Sequence, residues 1–193
     1  MSCSRPIDAA VLSDYWFALL ADSEEGAVEE HLLTCDECGQ RLREVIAIAE
    51  GVRKLAREGS LLMVVTDAFL KRAAEQGMRI REYAPPAGGR VDCTVTAEDD
   101  LLIGRLAANL SAAKQIDLCI CNAEGQEKIR LRDIPAHQAA GSVVFQQPIG
   151  YAKAAPSETM IARLVAVDES NGEHLLGEYT FTHTRTIPGP AAW

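Results

Sequence analysis

The period of the hydrophobic pattern changes partway along this 193-residue chain, and that change constrains its fold more than any other feature. Up to about residue 77 the apolar side chains recur at helical spacing, and beyond about residue 90 they alternate. Ile7, Val11, Leu12, Tyr15, Trp16, Leu19 and Leu20 form the stripe of a first helix. Asp22 and Glu25 read as a capping pair for a second helix carrying Val28, His31 and Leu32. After the turn Cys35-Asp36-Glu37-Cys38-Gly39 a third stripe runs through Leu42, Val45, Ile46, Ala49, Val52 and Leu55, and Gly59-Ser60 ends it. Leu61, Leu62, Val65, Phe69, Leu70 and Ala73 predict a fourth helix, with Gly77 as its C-terminal cap.

The remainder alternates in short runs: 91–95, 116–121, 129–132, 143–145, 160–167 and 175–184, with 79–83 either a further strand or a connecting arm. Asn122-Ala123-Glu124-Gly125, Ile134-Pro135 and Glu169-Ser170-Asn171-Gly172 read as turns between them. Six or seven short strands so punctuated predict an antiparallel β-sandwich. The expected architecture is therefore α+β: a helical domain over 1–77 with three helices plus a fourth, a connecting segment over 78–89, a β-sandwich over 90–186 and a tail over 187–193.

Composition narrows the function. Net charge is −9, with −6 on residues 1–78 and −3 on residues 79–193. Phosphate backbones need a basic face, so direct nucleic-acid binding is not expected. The most apolar run, Leu61-Leu62-Met63-Val64-Val65, is far short of the ~20 residues that span a bilayer. The N-terminus MSCSRPIDAA lacks the apolar core of a signal peptide. A cytoplasmic protein without a membrane partner is expected, its six cysteines serving as thiols or metal ligands.

His31, Cys35 and Cys38 spell H-x3-C-x2-C. Four residues apart on a helix, His31 and Cys35 share one face, and the C-x2-C turn brings Cys38 back to the same point. Zinc takes four soft or borderline ligands in a tetrahedron, and this motif supplies three. For the fourth, Cys3 is the one other N-terminal Cys or His, Asp8 offers an oxygen, and a water is a further alternative. As a ligand near the terminus, Cys3 would be the most easily released and oxidised of the set.

The helix ending in Tyr15, the interval to His31 and the run His31-Leu32-Leu33-Thr34-Cys35-Asp36-Glu37-Cys38 resemble the zinc-finger domain of zinc-containing anti-sigma factors. The resemblance covers roughly residues 1–77. It implies a three-helix bundle followed by a fourth helix, with Zn2+ on His31, Cys35 and Cys38, clamping an extracytoplasmic-function sigma factor away from RNA polymerase. The family often carries another Cys or His near where Arg5 and Pro6 stand here, and Cys3 is the residue left to substitute. Under this reading Leu61, Leu62, Val65, Phe69 and Leu70 are the apolar partner-binding stripe. The alternative is a structural zinc module joined to a β-sandwich that binds a small ligand or another protein.

The second half offers little chemistry of its own. His137, His174 and His183 are scattered, without the clustered histidines of a metal-binding cupin. His183 is expected to be a hydrogen-bonded structural histidine and Cys93 a core residue. Cys119 and Cys121 share a strand face with Asp117, opposite Ile116, Leu118 and Ile120, so these thiols are expected to be partly exposed. With no Gly-rich phosphate loop, G-x-S-x-G elbow or H-E-x-x-H pattern, no enzymatic activity is expected.

Overall fold

The computed structural model describes residues 3–111, 113–135, 141–168, 170 and 172–187. His137 and part of the 169–172 turn lie outside the described residues. The chain divides into two compact units, residues 1–55 and 56–193.

The first unit is helical: α1 (Ala9–Trp16), α2 (Asp22–Thr34) and α3 (Asp36–Arg57), whose last two residues fall in the second unit. Asp8 caps α1, its Oδ1 accepting the Ala10 N–H at 2.8 Å. The cap of α2 falls one residue earlier than the Asp22–Glu25 pair predicted. Ala21 is the N-cap, and its N–H donates to Glu24 Oε2. Leu12, Val28 and Cys38 are the buried side chains among the described residues of this unit. Arg53 lies over the Phe17 ring, 5.6 Å from its centroid.

The second unit is mixed. Its elements in order are β1 (Met63–Val64), α4 (Asp67–Glu75), β2 (Ile80–Tyr83), β3 (Arg90–Cys93), β4 (Leu101–Ala107), β5 (Gln115–Cys121), β6 (Glu127–Pro135), β7 (Ser142–Gln147), α5 (Ile149–Ala154), β8 (Glu158–Val167) and β9 (Glu173–His183). They build a four-stranded sheet, β1-β7-β4-β2, and a five-stranded sheet, β3-β9-β8-β5-β6. Most neighbours are antiparallel, but β2 pairs with β4 and β3 with β9 in parallel, a departure from the all-antiparallel expectation. Leu106, Val143 and Phe145 of the first sheet share one core with Ile116, Leu118, Leu164 and Tyr179 of the second. Phe145 and Phe181 meet edge to face at 6.1 Å.

The predicted fourth helix is corrected in two ways. Leu61 and Leu62 precede a strand, β1, which pairs with β7, and the helix begins only at Asp67 behind the Thr66 cap. A continuous apolar run fits a buried strand as well as a helix, and here pairing with β7 decides. The helix also belongs to the second unit, so the expected boundary at 77 moves to 55. Val65, Leu70 and Ala73 are buried against Leu101, Ile103 and Val144, with Phe69 packed alongside, and Leu62 packs on the main core. The stripe proposed for a partner is thus largely covered by the chain's own sheet. Gly77 does end α4: at φ +81° it lets its N–H reach Ala74 O and that of Met78 reach Ala73 O.

Candidate metal centre

Four side chains converge in the first unit. The donor atoms of Cys3, His31, Cys35 and Cys38 all lie within 4.8 Å of one another, so this group could hold a metal ion. His31 stands in the last turn of α2. Cys35 is the single extended residue between α2 and α3, with φ −128° and ψ 98°, and Cys38 sits in the first turn of α3, fully buried. The helix–helix junction itself therefore places three donors around one point. Cys3 arrives from the N-terminal segment, where its backbone N–H donates to Glu37 Oε2 at 2.7 Å. Its Sγ lies 3.6 Å from His31 Nε2 and 4.0 Å from Cys38 Sγ.

Backbone donors surround the sulfurs. The Ile7 N–H points at Cys38 Sγ at 3.5 Å. The Cys38 N–H at the start of α3 bonds the Cys35 thiol and brings it down to about 7, with hydrogen bonds from Cys3, Cys38 and His31 adding to the effect. A helix N-terminus favours a thiolate for the same reason. At Cys3 the Arg5 N–H pulls the thiol down, but burial and the neighbouring Cys35 and Cys38 outweigh it and the net direction is up.

All four candidate ligands read from the sequence, His31, Cys35, Cys38 and Cys3, are thus brought together. The alternative Asp8 is not among them, because its carboxylate is spent on the α1 cap.

The thiols of the second unit are differently placed. Cys93 is buried as expected, and burial pushes its thiol up to about 11. Cys119 and Cys121 are not partly exposed; each is 2% exposed, packed with Val165. Their face of β5 is roofed by two arginines, a cover that strand alternation could not reveal. Arg163 donates to Glu178 at 2.7 Å, to Gly125 O at 3.0 Å and toward Cys121 Sγ at 3.8 Å. Arg130 joins Glu127, Glu173 and the buried Asp117. Under this roof burial and the hydrogen bond to Glu127 push the Cys119 thiol up to about 12. His183 was expected to be a hydrogen-bonded structural histidine, and its Nε2 is buried without a hydrogen-bond partner. No sequence signal marked it, since that state depends on what the fold places around it.

No helix among the described residues is long and apolar enough to cross a membrane. No family model matches the chain, and no curated protein matches it. Among solved structures it is similar to the Clostridium thermocellum CbhA fibronectin(III)-like modules, at 10% identity over 54% of this chain and 96% of that one, with a TM-score of 0.31. CopC from Methylosinus trichosporium OB3b aligns at 10% identity over 66% and 98%, with a TM-score of 0.31. The N-terminal domain of phage TP901-1 ORF48 aligns at 8% identity over 56% and 98%, with a TM-score of 0.33. Likenesses at this level assign no family to the chain.

Proposed function

We propose that the first unit is a zinc-held helical module that sequesters a sigma factor of the extracytoplasmic-function type, in the cytoplasm, and that the second unit is a β-sandwich attached to it. The observation that supports this most is the spacing of the four donors. Zinc bonds of about 2.3 Å to sulfur and 2.0–2.1 Å to nitrogen give tetrahedral edges of about 3.8 Å between sulfurs and 3.6 Å between sulfur and nitrogen. The Cys3–Cys38 and Cys3–His31 separations are 4.0 and 3.6 Å. A Cys3His set is closed, with no position left for substrate, which favours a structural ion over a catalytic one.

Zinc would then pin α2, α3 and the N-terminal segment together. The surface so held carries exposed apolar side chains: Ile48, Val52 and Leu55 follow one another at helical spacing along α3, and Leu33 on α2 is 87% exposed. A row of this kind on a surface helix suits a partner helix. It takes over the role assigned from sequence to 61–70. The resemblance to zinc-containing anti-sigma factors supplies the identity of the partner.

The test is co-expression of the full chain with a sigma factor of that type, followed by purification and zinc analysis. One zinc per chain and a retained sigma factor are expected, both lost in Cys35→Ser. Ile48→Asp should lose the sigma factor and keep the zinc. Zinc retained without any sigma factor would refute the sequestering role and leave the structural module.

A further inference from the structure

The exposed row on α3, Ile48, Val52 and Leu55, has a fourth member. Ile48, Gly51, Val52 and Leu55 stand at i, i+3, i+4 and i+7, and so share one face of the helix. Gly51 is exposed, and a Cβ built on it would meet nothing within 4 Å among the described residues. Its backbone is ordinary helix, outside the left-handed region where glycine is needed.

Glycine is the poorest helix former after proline, so in the interior of a 22-residue helix it weakens the element that carries the row. Neither the space around Gly51 nor its conformation repays that loss within the chain itself. A missing side chain does repay it where a second backbone comes close. Two packed helices lie about 8–10 Å apart, the distance being set by the side chains at the contact, and a glycine there permits the short end of the range. The row is thus shaped for a helix that crosses it at Gly51, with aliphatic side chains on either side of the crossing.

Charge narrows the choice of helix. Residues 1–55 hold 11 Asp/Glu against 5 Lys/Arg, a net of −6. Three of those cations are turned to their own chain. Arg41 pairs with Glu37 at 3.3 Å, Arg43 holds the Gln40 side-chain oxygen at 2.8 Å, and Arg53 lies over the Phe17 ring. Glu44, one turn before Ile48, takes a neutral partner instead, the Gln40 amide at 3.3 Å. On α2, Glu29 stands one turn before the exposed Leu33 and accepts the Tyr15 hydroxyl at 3.4 Å. The apolar row therefore lies in an acidic surface. A second copy of the chain would bring a surface of the same sign onto it, whereas a basic helix meets it with opposite charge.

We propose, resting on the reading that this row faces the partner, that the segment seated on it is a basic amphipathic helix. It crosses α3 at Gly51, lays its apolar stripe on Ile48, Val52 and Leu55, and carries lysine or arginine along its margins.

The experiment titrates the full-length, zinc-loaded protein with two fluorescent helical peptides of the same leucine spacing, one flanked by lysine and the other by glutamate. By anisotropy the lysine peptide should bind about tenfold more tightly at ~0.1 M salt, and the preference should shrink at ~0.5 M as screening shortens. Gly51→Leu adds a side chain in open space, so helical signal and zinc content should be kept while the lysine peptide is weakened about tenfold. Gly51→Ala, a smaller intrusion, should fall between the two, and Glu44→Lys should weaken the lysine peptide about threefold. Failure to bind the lysine peptide, equal affinity for both peptides, or equal affinity in wild type and Gly51→Leu would overturn the proposal. So would a dimer in sedimentation that Gly51→Leu dissociates, for the row would then belong to a second copy. Co-expression separates this from the sequestering role. A sigma factor held equally by wild type and Gly51→Leu removes the crossing and keeps that role. The lysine peptide bound with no sigma factor retained removes that role and keeps the row as a site for a basic helix.

Discussion

Stripping zinc from the purified protein should unfold the first unit and leave the second intact. The magnitude follows from how little the helical unit buries. Among its described residues Leu12, Val28 and Cys38 are the buried ones. Full burial of a side chain like Leu12 or Val28 contributes about 1.5–3 kcal/mol, whereas a structural zinc contributes about 10–16 kcal/mol in modules of this kind. With the proposed zinc bound, coordination would outweigh apolar packing there severalfold. The second unit has a full core of its own, with Leu106, Ile116, Leu118, Phe145, Leu164 and Tyr179 all at 0% exposure. Far-ultraviolet circular dichroism during titration with a strong zinc chelator, under reducing conditions, reads both outcomes. The helices α1, α2 and α3 hold 8, 13 and 22 residues, against 9 and 6 in α4 and α5. Most of the helical ellipticity should disappear, the strand signal should persist, and added zinc should restore the helices. A metal-free protein, verified by elemental analysis, that keeps its helical signal would show that packing suffices and that the four donors are not what holds the unit.

Three further outcomes are expected. Arg130→Met strips the buried Asp117 of its counter-ion, leaving it the Asp133 N–H at 3.2 Å among the described residues, and should cost about 3 kcal/mol in urea unfolding. Asp99→Asn should cost about 2 kcal/mol at neutral pH, the worth of hydrogen bonds to a charged group. The Asp99 carboxylate is held below its ordinary 3.8 by the Thr96 N–H and Arg81, which outweigh its burial. A lowered native value favours folding above 3.8 and loses that effect as pH falls through the native value, so the gap between wild type and variant should close in acid. Gly104→Ala drives a methyl group into the Phe145 ring, which also packs edge to face on Phe181, and should lower stability by about 1–3 kcal/mol without altering metal content.

Local chemistry was well exposed in the sequence. His31, Cys35 and Cys38 sit within eight residues, so helical spacing alone brought them together. Cys3 was one of three alternatives, beside Asp8 and a water, and Gly77 ended α4 as its freedom at positive φ requires. Long-range pairing was less legible. Leu61 to Val65 read as helix because β1 is defined by β7, some eighty residues away. The strand β4, with its near-continuous run Leu101-Leu102-Ile103, escaped the alternation test because both of its faces are covered. The helix α5 was too short to show a period. Ile134-Pro135 read as a turn but closes β6, where proline needs no ladder donor at a strand end. Cys119 and Cys121 were assigned the exposure of an outward face, since nothing local signals that Arg130 and Arg163 fold over it.

The partnering of β9 with β3 bears on the order of events during synthesis. Every ligand of the metal centre is translated by residue 38, and the unit that holds it ends at residue 55. The five-stranded sheet instead places β9, residues 173 to 183, between β3 and β8. Its ladder cannot be completed until almost the whole chain has left the ribosome. On the proposed reading, the four-donor group can therefore take up its ion on the nascent chain while the second unit still lacks a strand from the middle of a sheet. The helical unit, on that zinc reading, is thus the part of the chain that is complete first, and its first encounter with the metal falls while translation is still under way.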